Sequence, residues 1–167
     1  MSKTQGGRRI DVAKDVLTHL INDTLSPGIP TALRIFTPGK DACSSKIVAP
    51  MAPLDPAAMT DIVHRLKIKK GTKTPIAATL REVAGDVSSV NGLRIIVLIT
   101  DGRESCKGDP AAVIQELVDS GLDVRVNIVG FDIDNAGLKE QIAQWAALGN
   151  GQSFDARGAD GLRASIA

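Results

Sequence analysis

The sequence predicts one α/β domain over residues 1–167, built on a doubly wound, mostly parallel sheet with one antiparallel edge strand. Three observations carry this. The run Ile95-Ile96-Val97-Leu98-Ile99 is apolar at every position, as a strand buried on both faces must be. Helical patterns alternate with such runs, which is the order of crossover units. With three Phe, one Trp and no Tyr among 167 residues, Val, Ile, Leu and Ala must build the core. A chain of this length buries roughly 70% of its unfolded surface.

The elements follow in order. Ala13, Val16, Leu17, Leu20, Ile21 and Thr24 recur at helical spacing and predict an amphipathic helix over 10–25. Ser26-Pro27-Gly28 breaks it. Short strands at 31–36 and 46–49 form a hairpin around the turn at 38–41, and Pro50 and Pro53 end the second, as suits a sheet edge. Asp55-Pro56, Thr74-Pro75 and Asp109-Pro110 each place a capping side chain before a Pro at the first helical position. They open helices over 56–67, 75–88 and 110–120. The strongest strand is 93–100, followed by another at 124–131. Leu138, Ile142 and Trp145 mark a helix stripe, 152–155 a last short strand, and 160–167 a closing helix. A doubly wound sheet normally begins with a strand, whereas this chain begins with a helix.

The net charge of +1 gives no electrostatic footprint for nucleic acid, and so few rings rule out a stacking platform for single strands. No apolar run reaches membrane-spanning length, and the polar N-terminus is no signal peptide.

Two segments carry the chemistry. Gly71-Thr72-Lys73-Thr74-Pro75 leads into a helix, and Thr100-Asp101-Gly102 ends the strongest strand. They offer a hydroxyl, Thr74, and a carboxylate, Asp101, that can meet at one sheet edge. That pairing suits a hard cation such as Mg²⁺. Each has a plainer role: Thr74 as an N-cap stabilising its helix by about 1 kcal/mol, and Asp101 as the first residue of an Asp-Gly turn.

These segments, with Leu98-Ile99-Thr100-Asp101-Gly102, Val126-Asn127-Ile128-Val129-Gly130-Phe131 and Ser153-Phe154-Asp155-Ala156, resemble a bacterial von Willebrand factor type A (VWA) domain from about residue 8 onward. The resemblance implies a Rossmann-like sheet that binds protein ligands non-catalytically through a metal-ion-dependent adhesion site at the carboxyl ends of strands. Thr74 matches the Thr of the family's second metal loop and Asp101 the Asp of the third. The first loop, Asp-x-Ser-x-Ser, has no counterpart. The resemblance therefore implies a domain lacking its first, central strand, with two open strand edges and an incomplete site. In a complete site the ion is Mg²⁺, with Mn²⁺ or Ca²⁺ as alternatives, and it receives a carboxylate from a protein partner. With Thr74 and Asp101 alone, Mg²⁺ binding is expected to be weak or absent. A homodimer or a donated strand would complete the sheet.

The resemblance also bears on Cys43 and Cys106. Bacterial relatives often carry Cys at both places together with a second pair, and the second pair is missing here, with Ala111 where relatives can have Cys. Cys43 and Cys106 are therefore expected to pair, since both loops lie on one sheet edge; two free thiols are the alternative. A disulfide would favour an extracytoplasmic location.

The remaining features are plainer. Arg65, Lys67, Lys69, Lys70 and Lys73 read first as a solvated helix end and second as a steering patch for an acidic ligand. His19 and His64 fall off the apolar stripes and read as surface residues, and Trp145 as core. No Gly-x-Gly-x-x-Gly, Gly-x-Ser-x-Gly or complete phosphate loop is present, so the sequence is expected not to encode an enzyme. A partner-docking subunit of a chelatase or AAA⁺ machine, and less readily a Mg²⁺-dependent hydrolase, are the alternatives.

Overall fold

A computed structural model describes residues 2–37, 42–67 and 72–155. The chain runs α1 (Ser2–His19), a π-helical turn (Leu20–Thr24), β1 (Pro30–Thr37), β2 (Ser44–Pro53), α2 (Pro56–Arg65), α3 (Ile76–Asp86), β3 (Arg94–Thr100), α4 (Pro110–Asp119), β4 (Val124–Gly130), α5 (Ala136–Leu148) and β5 (Ser153–Asp155). The closing helix expected at 160–167 lies outside the described residues, as do Lys69 and Lys70.

The architecture is α/β, as predicted, but its strands fall into two groups. β3, β4 and β5 form a parallel sheet in the order β3-β4-β5, while β1 and β2 form an antiparallel pair. No ladder joins β1 to β3 among the described residues.

Alternation along the strands sets two layers. From β3 and β4, Ile96, Leu98, Val124, Val126 and Ile128 pack with Ile76, Leu80, Val113, Ile114 and Ile142 of α3, α4 and α5. On the opposite face, Val97, Ile99 and Val129 meet Val16 and Leu20 of the first helical segment. Trp145 is core, and His19 and His64 are exposed.

Two helical segments span the seam between the sheets. Val16 and Leu20 lie on the parallel sheet, whereas Leu17 and Ile21 join Leu33 of β1 and Ala49 of β2. These are adjacent i, i+4 rows of one helix. On the other face α3 packs its apolar side on the parallel sheet and holds Arg34 of β1 through Glu82 and Asp86.

Three expectations are corrected. The first helix begins at Ser2, and its last turn is π-helical, closed by Leu25 N–H donating to the Leu20 carbonyl at 3.0 Å. β2 continues through Pro50 to Pro53 instead of stopping at 49. Register shifts beside Leu33 place extra β2 residues opposite β1, and Pro53 faces Pro30 at the ladder's end, so the missing N–H groups disrupt little. Lastly, Thr74 does not cap α3. Pro75 itself holds the N-cap position, with no side-chain capping bond, whereas Asp55 and Asp109 cap as expected through Ala58 and Ala112.

Candidate functional site

Three loops meet at the carboxyl end of β3. The α3 approach, residues 72–75, and the β3–α4 loop are tied reciprocally: Thr74 N–H donates to Ser105 Oγ at 2.8 Å, and Ser105 N–H donates to the Thr74 carbonyl at 3.1 Å. The loop after β1 joins them through Lys73 N–H to the Ala42 carbonyl at 3.3 Å and through the Cys43–Cys106 disulfide, whose Cα atoms are 5.7 Å apart. The expected pairing of the two cysteines is thus present.

Glu104 does what Thr74 was expected to do. One carboxylate oxygen accepts from Ala77 N–H at 2.7 Å in the first turn of α3, and the other accepts from Cys106 N–H at 2.8 Å. A carboxylate is favoured there because the unpaired N–H groups of a helix start carry partial positive charge. Gly108 allows the close approach: a Cβ on it would lie 2.5 Å from Ala77 Cβ and 3.2 Å from Glu104 Oε2.

The strand ends supply the acids. Thr100 is buried and holds the turn through Oγ1, which donates to the Gly102 carbonyl at 3.2 Å; its own carbonyl accepts from Phe131 N–H at 3.1 Å. The Thr74 hydroxyl faces Gly102, where a Cβ would stand 3.9 Å from Thr74 Oγ1. The structure therefore brings the Thr74 loop to the Asp101 turn. Asp101 Oδ2 accepts from Arg9 Nη1 at 3.2 Å, and Arg9 Nε donates to Asp132 Oδ2 at 2.8 Å. Asp101 directly follows β3, and Asp132 stands two residues past the end of β4, in a backbone with φ of 54°. The hydrogen bond to Asp132 does most to raise the Arg9 pKa above its ordinary value. Partial burial opposes this, and the Asp101 charge adds to it.

Comparison with known proteins places this geometry. No family model matches the chain. YwmD of Bacillus subtilis, an uncharacterized protein, is 32% identical over 176 residues, covering 96% of this chain and 75% of YwmD. A von Willebrand factor type A structure from Catenulispora acidiphila superposes with a TM-score of 0.69 at 19% identity, over 94% of this chain and 36% of that one. The chain belongs to the YwmD family and has the VWA fold. This VWA-like domain also matches an aerotolerance-related membrane protein from Bacteroides fragilis, with a TM-score of 0.71, 20% identity, and 95% and 86% of the two chains covered. A third structural neighbour is proximal thread matrix protein 1 from the mussel byssus, with a zinc-occupied MIDAS motif. Its TM-score is 0.70 at 16% identity, over 94% of this chain and 41% of that one.

The donor set of the VWA-like domain does not fit a divalent ion as it stands. A hard cation wants about six oxygen ligands. Here Asp101 and Asp132 share a guanidinium instead, with the Thr74 hydroxyl beside them. Among the described residues no group of three or more His, Cys, Asp or Glu is placed to hold a metal.

Sequence reasoning named Thr74 and Asp101 and the Cys43–Cys106 pair, of which the pair is seen as a disulfide, and it did not name Arg9, Asp132 or Glu104, which lie beside them. Asp132 carried a signal, an acid just past the run Ile128-Val129-Gly130-Phe131. Arg9 and Glu104 carried none, because their partners lie far away in sequence. Of the basic stretch, Arg65 pairs with Asp61 at 2.6 Å on an exposed helix face, and Lys67 and Lys73 are exposed.

Proposed function

We propose that this VWA-like domain is a non-catalytic protein-recognition module that meets its partner at the carboxyl edge of the parallel sheet. One observation carries the reading: the Thr74–Ser105 bonds and the Cys43–Cys106 bridge bind three loops into one surface around Asp101. A surface ordered before binding loses less entropy on association. The partner presents a carboxylate, and the metal-site positions are Thr74 and Asp101, with Mg²⁺, or Mn²⁺ or Ca²⁺, held weakly if at all by so few oxygens. The disulfide supports an extracytoplasmic location. Docking within a chelatase or AAA⁺ machine uses the same surface, and a Mg²⁺-dependent hydrolase is the remaining alternative.

The test is amide chemical-shift mapping with an acidic peptide, with and without Mg²⁺. Shifts confined to residues 72–75 and 101–106, and lost in Asp101→Ala, support the reading. Shifts elsewhere, or none, count against it. Turnover of a generic phosphoester that Asp101→Ala abolishes would favour the hydrolase.

A second reading has its own observation. Among the described residues β1 and β3 each keep an unladdered edge, and α1 and α3 span the interval between them. A strand from a second copy or a partner would add backbone bonds along both edges. Native mass spectrometry of unreduced protein decides this, since a monomer without a bound polypeptide removes the reading.

A further inference from the structure

We infer that Arg9 is the resident cation of the strand-end acids, and that Arg9 and a divalent ion exclude one another there. Arg9 joins α1 to the ends of both β3 and β4, bridging 92 residues to Asp101 and 123 to Asp132. The two carboxylates both turn an oxygen to one guanidinium, at 3.2 and 2.8 Å. Two like charges converging on one point need a positive charge between them. A guanidinium supplies it permanently, since it does not lose its proton in the working pH range.

The geometry makes the arrangement exclusive. An ion bridging Asp101 and Asp132 would compete with Arg9 for the carboxylates that now accept from Nη1 and Nε. Its charge would also add to that of Arg9 at contact distance, where like charges repel strongly. Binding a divalent ion thus requires the Arg9 side chain to leave. Leaving costs little packing, since the side chain is 43% exposed, but it releases the tie between α1 and the parallel sheet's loop edge. In this chain the edge is therefore independent of metal while Arg9 is seated. Arg9 sits on the edge proposed to meet a partner, but its competition with an ion does not require a protein ligand to bind there.

The test uses Mn²⁺ and Mg²⁺ alone, read by Mn²⁺ electron paramagnetic resonance and by thermal unfolding with and without Mg²⁺. The wild-type chain is expected to show neither Mn²⁺ uptake nor a melting shift at micromolar ion. Arg9→Gln is expected to bind Mn²⁺ on the order of tenfold tighter and to gain a Mg²⁺-dependent rise in melting temperature. Adding Asp132→Asn to Arg9→Gln should remove that gain. Arg9→Lys, which keeps the charge, should behave like wild type and separates charge from fold damage. The inference is overturned if wild type and Arg9→Gln bind Mn²⁺ equally, or if neither binds it.

Discussion

Leu20 and Ile21 are neighbours in the chain and bury against different sheets. Leu20 packs with Val129 on the parallel sheet, and Ile21 packs with Ala49, Leu54 and Val63 on the hairpin side. Successive helical residues diverge by about 100°, which is what allows one helix to serve both.

Leu20→Ala and Ile21→Ala should each cost about 2–5 kcal/mol, because both side chains are over nine-tenths buried. Since the clusters differ, the hydrogen-exchange consequences should separate: Leu20→Ala should speed exchange in β3 and β4, and Ile21→Ala in β1 and β2. Equal loss of protection in both sheets would show that they open as one unit.

The Cys43–Cys106 bridge spans 63 residues. The chain-entropy account gives about 4 kcal/mol for a loop of that length. Urea unfolding with and without reductant, or of the double Cys→Ser variant, should show a fall of that order. The Trp145 indole, 5% exposed, is a convenient fluorescence probe. Unchanged stability after reduction would mean that the hydrogen bonds around Thr74 suffice.

Arg34 makes two parallel bonds to Asp86, at 2.8 and 2.9 Å, and a further ion pair with Glu82. The Arg34 and Asp86 side chains are 16% and 17% exposed. Arg34→Met should cost about 2 kcal/mol by leaving Asp86 half-buried without its partner. Arg34→Lys should recover little of this, because an ammonium cannot reproduce the planar fork. Both are read from denaturant midpoints. Full recovery by Lys would show that charge alone matters.

Gly151 passes hard against β4, where a Cβ would fall 2.0 Å from the Val126 carbonyl oxygen. Gly151→Ala must push the α5–β5 connection away, and should cost at least about 2 kcal/mol. Gly85→Ala, with nothing within 4 Å of its Cβ, should be neutral or stabilising. If both variants melt alike, the α5–β5 connection yields at Gly151 without cost.

Much of the fold was legible because its signals are local. The aliphatic run before Asp101, the Asp55-Pro56 and Asp109-Pro110 helix starts and the stripe through Trp145 each depend on neighbours within a few residues. Thr74-Pro75 has the same local form but a different outcome. Glu104, 27 residues from Ala77, takes the helix-start N–H, and Thr74 turns to Ser105 instead. β2 outran its prolines because bulges against β1 absorb them, which no single-strand pattern can show. Arg9 was illegible for a similar reason: its role exists only once α1 lies beside the ends of β3 and β4.

In a continuous sheet, neighbouring strands can sit only at offsets set by the hydrogen-bond repeat, so a slip costs a whole step. Among the described residues nothing supplies that ruler between β1 and β3. The offset of the hairpin from the parallel strands is set instead by how Val16, Leu17, Leu20 and Ile21 seat, by the ion pairs that hold Arg34 to α3, and by one sulfur–sulfur bond. Alignment across the seam is therefore continuously adjustable. Whatever shifts the first helix also moves the Cys43 loop relative to Asp101.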